Sequence, residues 1–315
     1  MENSFKEYKI ISKLNIIDPF SIYYLVSKDS KNYILRIFSQ NLDINDEIIE
    51  KVKEITKDLQ QHLCVIYDFG YYDKNYYQIL EYPVYGSLSN YIKEKLLTNN
   101  GVNKDYLNEV IEELLKALNE LHSNGIGILF FNSDNIFVRS LSKLDLVFVS
   151  FNIPPLIDNE ELFFENLLNN YKDSLAPENL NNIFSFESDY YSLGRLVYTI
   201  FKNKEFSSYD YEAIKYDVDI PIDYKVLLLG LLSSNNKNRF SFNEVSLFLN
   251  NKIDLLIDKL VNITNINYDY IKNVPFANKV FSNLKDLFLE FVKTRENFDL
   301  ALKLFFNYLL NKLNL

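Results

Sequence analysis

Residues 121–138 read LHSNGIGILFFNSDNIFV, and this stretch decides the fold. Upstream of it Leu107, Val110, Ile111, Leu114, Leu115, Leu118 and Leu121 recur at helical spacing. Tyr106–His122 is therefore expected to form a long amphipathic helix that ends near Asn124-Gly125. The apolar GILFF that follows reads, taken alone, as a buried strand. The alternative is a loop that leads from the helix into the strand-like Ile136-Phe137-Val138, and the neighbouring segments must decide between the two.

Composition narrows the function classes. The chain has 315 residues, 48% of them apolar, with 24 Tyr and 25 Phe, enough to fill a large core. A formal net charge of -10, with no basic run, argues against nucleic acid or an anionic membrane as partner. The lone Cys64 allows neither an internal disulfide framework nor a cysteine metal site. Residues 2–15 carry charges throughout and no window approaches eighteen uninterrupted apolar residues, so a cytoplasmic protein without a membrane span is expected.

Working outward, Tyr8–Phe38 holds YKIISKL, IYYLVSK and NYILRIF, rich in β-branched and aromatic residues, with a turn at Asp29–Lys31. Ile44–Gln60 has Ile48, Val52, Ile55 and Leu59 at helical spacing. Then CVIYDFGYYDKNYYQILEYPVYGSLSNYI reads as two strands about a turn at Asp73–Asn75, a linker and a helix. After the central stretch, LDLVFVSFNIPP alternates and breaks at two prolines, and downstream lie Ala176-Pro177-Glu178, SDYYSLG (188–194) and NNKNRFSFNEVSLFL.

In this order the segments resemble the protein kinases over roughly residues 8–250. The central stretch is similar to the catalytic loop of that family, usually L-H-x-x-x-I-x-H-R-D-L-K-P-x-N-I-L-V. Leu121, His122, Ile126, Asn135, Ile136 and Val138 match, whereas the H-R-D triplet is Ile128, Leu129 and Phe130. In an active member the Asp accepts the substrate proton and the Asn serves a metal site. Phe130 has no lone pair with which to do so. The V-A-I-K lysine that contacts nucleotide phosphates corresponds to Arg36, whose planar fork does not replace an ammonium. A head in solvent is the plain alternative for Arg36. The resemblance implies a partner acid on the helix of residues 44–60, with Glu50 and Glu54 both candidates. The glycine-rich loop is Asn15–Ser21, with no glycine before Gly70; Asp18 would repel phosphate and Pro19 lacks an amide donor. Leu80 stands at the gatekeeper position, Glu81 and Tyr82 begin the hinge, and Gly86, Ser87 and Leu88 open the next helix, where Ser87 suits a cap. The metal-binding D-F-G is Ser150, Phe151 and Asn152, and a hydroxyl is a poor ligand for Mg2+. Neither Asp134 nor Asp145 falls on a ligand position.

The fold-holding positions match. Glu178 belongs to the A-P-E triplet, Arg239 stands where its pairing arginine is expected, and Asp189 corresponds to the acid that anchors the catalytic-loop backbone. His122 and His62 read as structural. The acidic run DNEELFFEN in the activation segment reads as a solvated face or a partner surface, with no arginine in the loop to receive a phosphorylated residue.

Beyond residue 250, Ile253–Val261 is helical, and Val280–Val292 and Phe298–Leu313 are two amphipathic helices about a turn, the second similar to a tetratricopeptide helix with Ala301 at the small position. One such hairpin cannot bury its own faces, so a protein partner through residues 251–315 is expected.

The expectation is an α+β, two-lobed kinase-like fold: N-lobe 1–82, C-lobe 83–250 and a helical extension 251–315. Its expected function is that of a pseudokinase, a binding or regulatory module with no intact catalytic residue, no metal site and no cofactor. Two alternatives stand beside it: an atypical phosphotransferase or nucleotidyltransferase that holds ATP through Arg36, Asn135 and a helix glutamate, and a small-ligand domain using the old nucleotide cleft around Arg36, Leu80, Glu81, Tyr82 and Asn135.

Overall fold

The computed structural model describes residues 4–18, 20–39, 46–98, 101–149, 169, 171–181, 183 and 185–263. Ser150, Phe151, Asn152, the run DNEELFFEN and the amphipathic helices expected beyond residue 263 lie outside the described residues. The chain divides into two compact units, Met1–Leu196 and Val197–Leu315.

The first unit begins with an antiparallel sheet in the order β1-β2-β3-β4-β6-β5. Its strands are β1 (Ser4–Phe5), β2 (Tyr8–Lys13), β3 (Ser21–Lys28), β4 (Lys31–Phe38), β5 (Ile66–Tyr72) and β6 (Asn75–Glu81). The hairpins close tightly because their central residues accept left-handed backbone: φ is 49° and 62° at Asp29 and Ser30, and 45° and 64° at Asp73 and Lys74. Two-residue connections of this hand match the twist of the strands they join.

Both sheet faces are apolar, which the period-two alternation of β4 makes plain. Ile34 packs with Tyr23, Leu80, Phe137 and Val147 on one side. Leu35 packs with Phe5, Val26, Tyr77 and Ile79 on the other. The short β1, which the sequence did not announce, covers this second face by setting the Phe5 ring edge-on to Tyr72 and Tyr77 at 5.0 and 5.1 Å.

Helix α1 (Asp46–Lys57) buries Ile49 and Val52. A brief α2 (Leu88–Tyr91) runs on into a π-helical turn and a two-stranded β7–β8 pair, Leu97–Thr98 with Gly101–Val102. Ser87 stands at the N-cap of α2, yet its side chain makes no capping hydrogen bond, so capping does not explain the Gly-Ser pair. Gly86 is explained by its backbone instead, with φ at 74°, where a side chain is strained.

The long α3 (Lys104–Ser123) starts on Asn103, whose Oδ1 accepts the amides of Asp105 and Tyr106. It buries the apolar stripe read from the sequence. Residues 126–130 form a loop and not a strand; the strands are β9 (Ile136–Ser140) and β10 (Asp145–Phe148). The 3-10 turn Pro177–Asn181 then leads to α4 (Glu187–Lys202).

In the second unit, α5 (Asp210–Ala213) precedes α6 (Ile222–Leu231), which is buried along almost its whole length, Tyr224 to Leu231. Two further helices follow, α7 (Phe242–Leu249) and α8 (Ile253–Ile263). Glu244 reaches back from the first turn of α7 to the Ser241 amide at 2.9 Å and takes Lys259 of α8 at 2.6 Å. Burial pushes its carboxyl upward, but the Lys259 ammonium and the Ser241 donors outweigh that and hold it below the usual value.

Two outcomes follow for this unit. A Cβ at Gly230 would lie 2.2 Å from the buried Phe240 ring, so Gly230→Ala should lower unfolding free energy by about 2–3 kcal/mol in urea titrations. A depressed carboxyl stabilises the fold above its unfolded value and ceases to do so as pH falls through the folded one. The melting temperature of the wild type should therefore fall more steeply below about pH 4.5 than that of Glu244→Gln.

Candidate functional site

The inner face of β4 presents Arg36, and this guanidinium is buried. Its Nη2 donates to Asp18 Oδ2 at 2.7 Å, its Nε to Ser21 Oγ at 2.8 Å and its Nη1 to Gln78 Oε1 at 3.3 Å. The Phe38 ring lies 4.2 Å from it. Neither Glu50 nor Glu54 is its partner, and its head is not in solvent. Both glutamates are exposed on α1, where Glu50 pairs with Lys53 at 2.9 Å. The acid comes instead from the loop between β2 and β3, which is short enough to turn Asp18 inward beneath the sheet.

Asp18 is held there by three donors. Oδ1 accepts the Phe20 amide at 2.8 Å, and Oδ2 accepts the Tyr23 hydroxyl at 2.5 Å as well as Arg36. Its backbone carbonyl accepts the Tyr171 hydroxyl at 3.2 Å, and the preceding carbonyl, Ile17, accepts Asn135 Nδ2 at 2.7 Å. Breaking a buried pair of this kind by removing one partner typically costs about 3–5 kcal/mol.

Around this polar knot the cleft is apolar. Leu80 and Tyr82 share a cluster with Tyr23, Ile34, Cys64, Phe137 and Val149, against which Leu14 and Ile16 of the β2–β3 loop pack. Burial among these groups pushes the Cys64 thiol far above its ordinary value, so it is a small hydrophobe and not a nucleophile. Glu81 does not join them. Its carboxylate is held by Arg139 in a two-pronged pair at 2.9 and 2.7 Å, and Arg139 also donates to the carbonyls of Gln60 and Leu63.

The central loop is shaped from below. Asp189 of α4 is buried and accepts the Ile128 amide at 2.9 Å and His122 Nε2 at 2.8 Å. His122 stacks on Phe186 with centroids 4.4 Å apart, a structural role. His62 likewise engages Glu120 at 2.8 Å. Leu129 adopts φ of 76°, a left-handed state that costs a non-glycine residue about 1–2 kcal/mol. Phe130 is buried, its ring 5.4 Å from that of Tyr171. Asn135 also accepts the Asn132 amide through Oδ1 at 3.2 Å.

Glu178 is buried beside α4 and accepts the Ser188 hydroxyl at 2.9 Å. In the second unit, Arg239 is buried and donates to the Ser233 carbonyl through Nε and Nη2. Among the described residues no three His, Cys, Asp or Glu side chains converge as a metal cage requires, and no helix is long and apolar enough to cross a membrane.

A family model for the protein kinase domain matches residues 21–267. The chain belongs to the protein kinase family. Among solved structures it resembles the Mycobacterium tuberculosis PknI kinase domain, with a TM-score of 0.54 at 15% identity over 79% of this chain and 97% of that one. A double mutant of the same domain gives 0.54 at 16% identity, with the same coverage. Rad53 1–466, solved in complex with AMP-PNP, gives 0.53 at 19% identity over 79% of this chain and 66% of that one. At these identities the likeness establishes the two-lobed kinase fold and nothing finer. No curated protein matches the chain by sequence.

On the kinase fold the residues of the cleft fall in two groups. Arg36 and Asn135 are drawn to one loop, whereas Leu80, Tyr82 and Phe137 form the apolar floor beside it. Sequence reasoning missed Asp18 as the partner of Arg36, and it missed Tyr171 and Arg139 altogether. A signal existed for the first: Ile34, Arg36 and Phe38 alternate inward on β4, so the charge between two buried apolar residues required an acid in reach.

The kinase loop should be sensitive to its anchor. Asp189→Ala removes the carboxylate that accepts the Ile128 amide and is expected to destabilise the chain by about 2–4 kcal/mol in urea unfolding. It should also speed hydrogen exchange at Ile128 well beyond the rise at α3 amides.

Proposed function

We propose that this member of the kinase family is a pseudokinase, a binding module that does not transfer phosphate. The observation that carries the proposal is that the β2–β3 loop engages the residues at the positions of the family's strand lysine and catalytic-loop asparagine: Asp18 takes Arg36, and the Ile17 carbonyl takes Asn135. In an active kinase the corresponding lysine and asparagine face a nucleotide phosphate and a metal. Here they face the chain itself.

The residues present do not fit a magnesium nucleotide. Each nitrogen of the Arg36 guanidinium already donates within the chain, to Ser21, Gln78 and Asp18, and a polyphosphate brought beside it would meet the Asp18 carboxylate. Phe130, in the place of the proton acceptor, offers no lone pair and is buried against Tyr171. These facts tell against the phosphotransferase reading, which needed Arg36, Asn135 and an α1 glutamate together. They also tell against a small ligand in the old cleft, since Leu14 and Ile16 already pack into its apolar part. Function then rests on surface recognition of a protein partner, for which residues 251–315 remain our candidate. The net charge of -10 supports a protein over a nucleic acid.

The full chain should show no rise in melting temperature with millimolar ATP, with or without Mg2+, and no transfer of labelled γ-phosphate to itself or to generic protein substrates. A rise growing with the logarithm of ATP concentration would defeat the proposal.

A further inference from the structure

We propose that Arg36 heads an anion site whose occupant is the chain's own Asp18 carboxylate, so that the cleft carries a built-in ligand in place of an inorganic or nucleotide phosphate. This rests on the pseudokinase reading and concerns what holds the site shut.

Three features of the geometry carry it. First, the pair is dry: the side chains of Arg36 and Asp18 are 6% and 2% exposed, so the cation cannot be left alone where it sits. Second, the surroundings of the carboxylate are donors throughout: the Arg36 guanidinium, the Tyr23 hydroxyl and the Phe20 amide all point at its two oxygens. A cation, a hydroxyl and a backbone amide converging on one spot are the donor set of an oxyanion site. Third, the carboxylate sits on a loop whose backbone is gripped from the other side of the cleft, by Asn135 at the Ile17 carbonyl and by Tyr171 at the Asp18 carbonyl. The loop is thus held as a bound ligand would be, at its charge and along its backbone. An ordinary structural ion pair needs only the first feature.

If the carboxylate is a ligand, removing it should create a vacancy that an added anion fills. In the full-length Asp18→Gly chain, inorganic pyrophosphate at constant ionic strength should raise the melting temperature by about 5 °C at a hundredfold excess over Kd. The wild type and the double variant Asp18→Gly, Arg36→Leu should not respond. Asp18→Ala, which also removes the carboxylate but keeps a Cβ, carries the same measurement if the glycine variant does not fold. A pyrophosphate response no larger than that of the wild type, or one that survives loss of Arg36, overturns the inference while leaving the pseudokinase reading intact. A wild-type response to Mg-ATP would instead overturn that reading.

Discussion

A guanidinium buried on the inner face of a sheet must be neutralised where it lies, and in this chain Asp18 does so for Arg36. Much else in the first unit follows from that constraint. To deliver Asp18, the β2–β3 connection has to dip under the sheet, and in doing so it brings Ile16 and Leu14 onto the apolar cluster around Leu80 and Phe137. It also turns the Ile17 carbonyl toward Asn135. Glycines at this place would leave backbone amides free to close over a phosphate. An aspartate there commits at least the Phe20 amide to its own carboxylate.

The central loop takes its shape from the fold around it and not from its own side chains. Leu129 holds an unfavourable φ, and the Ile128 amide beside it is tied to Asp189. Strain of this sort persists only where the surroundings over-determine the backbone, and here α4 supplies that through Asp189, helped by His122 stacked on Phe186. The loop backbone is thus fixed by the fold, so Ile128, Leu129 and Phe130 can be apolar without unravelling it. Architecture and catalysis draw on separate residues in this family, and the sequence departs from the pattern in only one of the two sets.

The same separation governs what could be read before the structure. The hairpins, α1, the stripe of α3 and the anchor Asp189 depend on local periodicity or on motifs held at fixed spacing, and such signals survive in a single sequence. The partner of Arg36 depends on which loop reaches the strand, a matter of a few ångströms in a connection with no periodicity. Looking along α1 for a glutamate missed it because both candidates sit on the solvated side of that helix. The β1 strand was equally hidden: two residues carry no pattern, and only the apolar outer face formed by Leu35, Tyr77 and Ile79 gives Phe5 a reason to fold back.

Within the first unit the links across the cleft form a set. Besides the two grips on the β2–β3 loop, Arg139 of β9 holds Glu81 and the carbonyls that follow α1, while Phe148 accepts the Cys64 amide and donates its own amide to the His62 carbonyl across the Leu63–Phe148 bridge. An enzyme that exchanges nucleotide must open this cleft at every turnover. Ties at both its mouth and its back oppose that motion, and opening would expose the Arg36 charge and the Leu80 cluster together. For a module that works by presenting a surface the same ties are an advantage, because a face that does not reorganise loses less conformational entropy on binding. In this chain the filling of the cleft from within is the work of one loop, held at Ile17 and Asp18 and packed through Leu14 and Ile16.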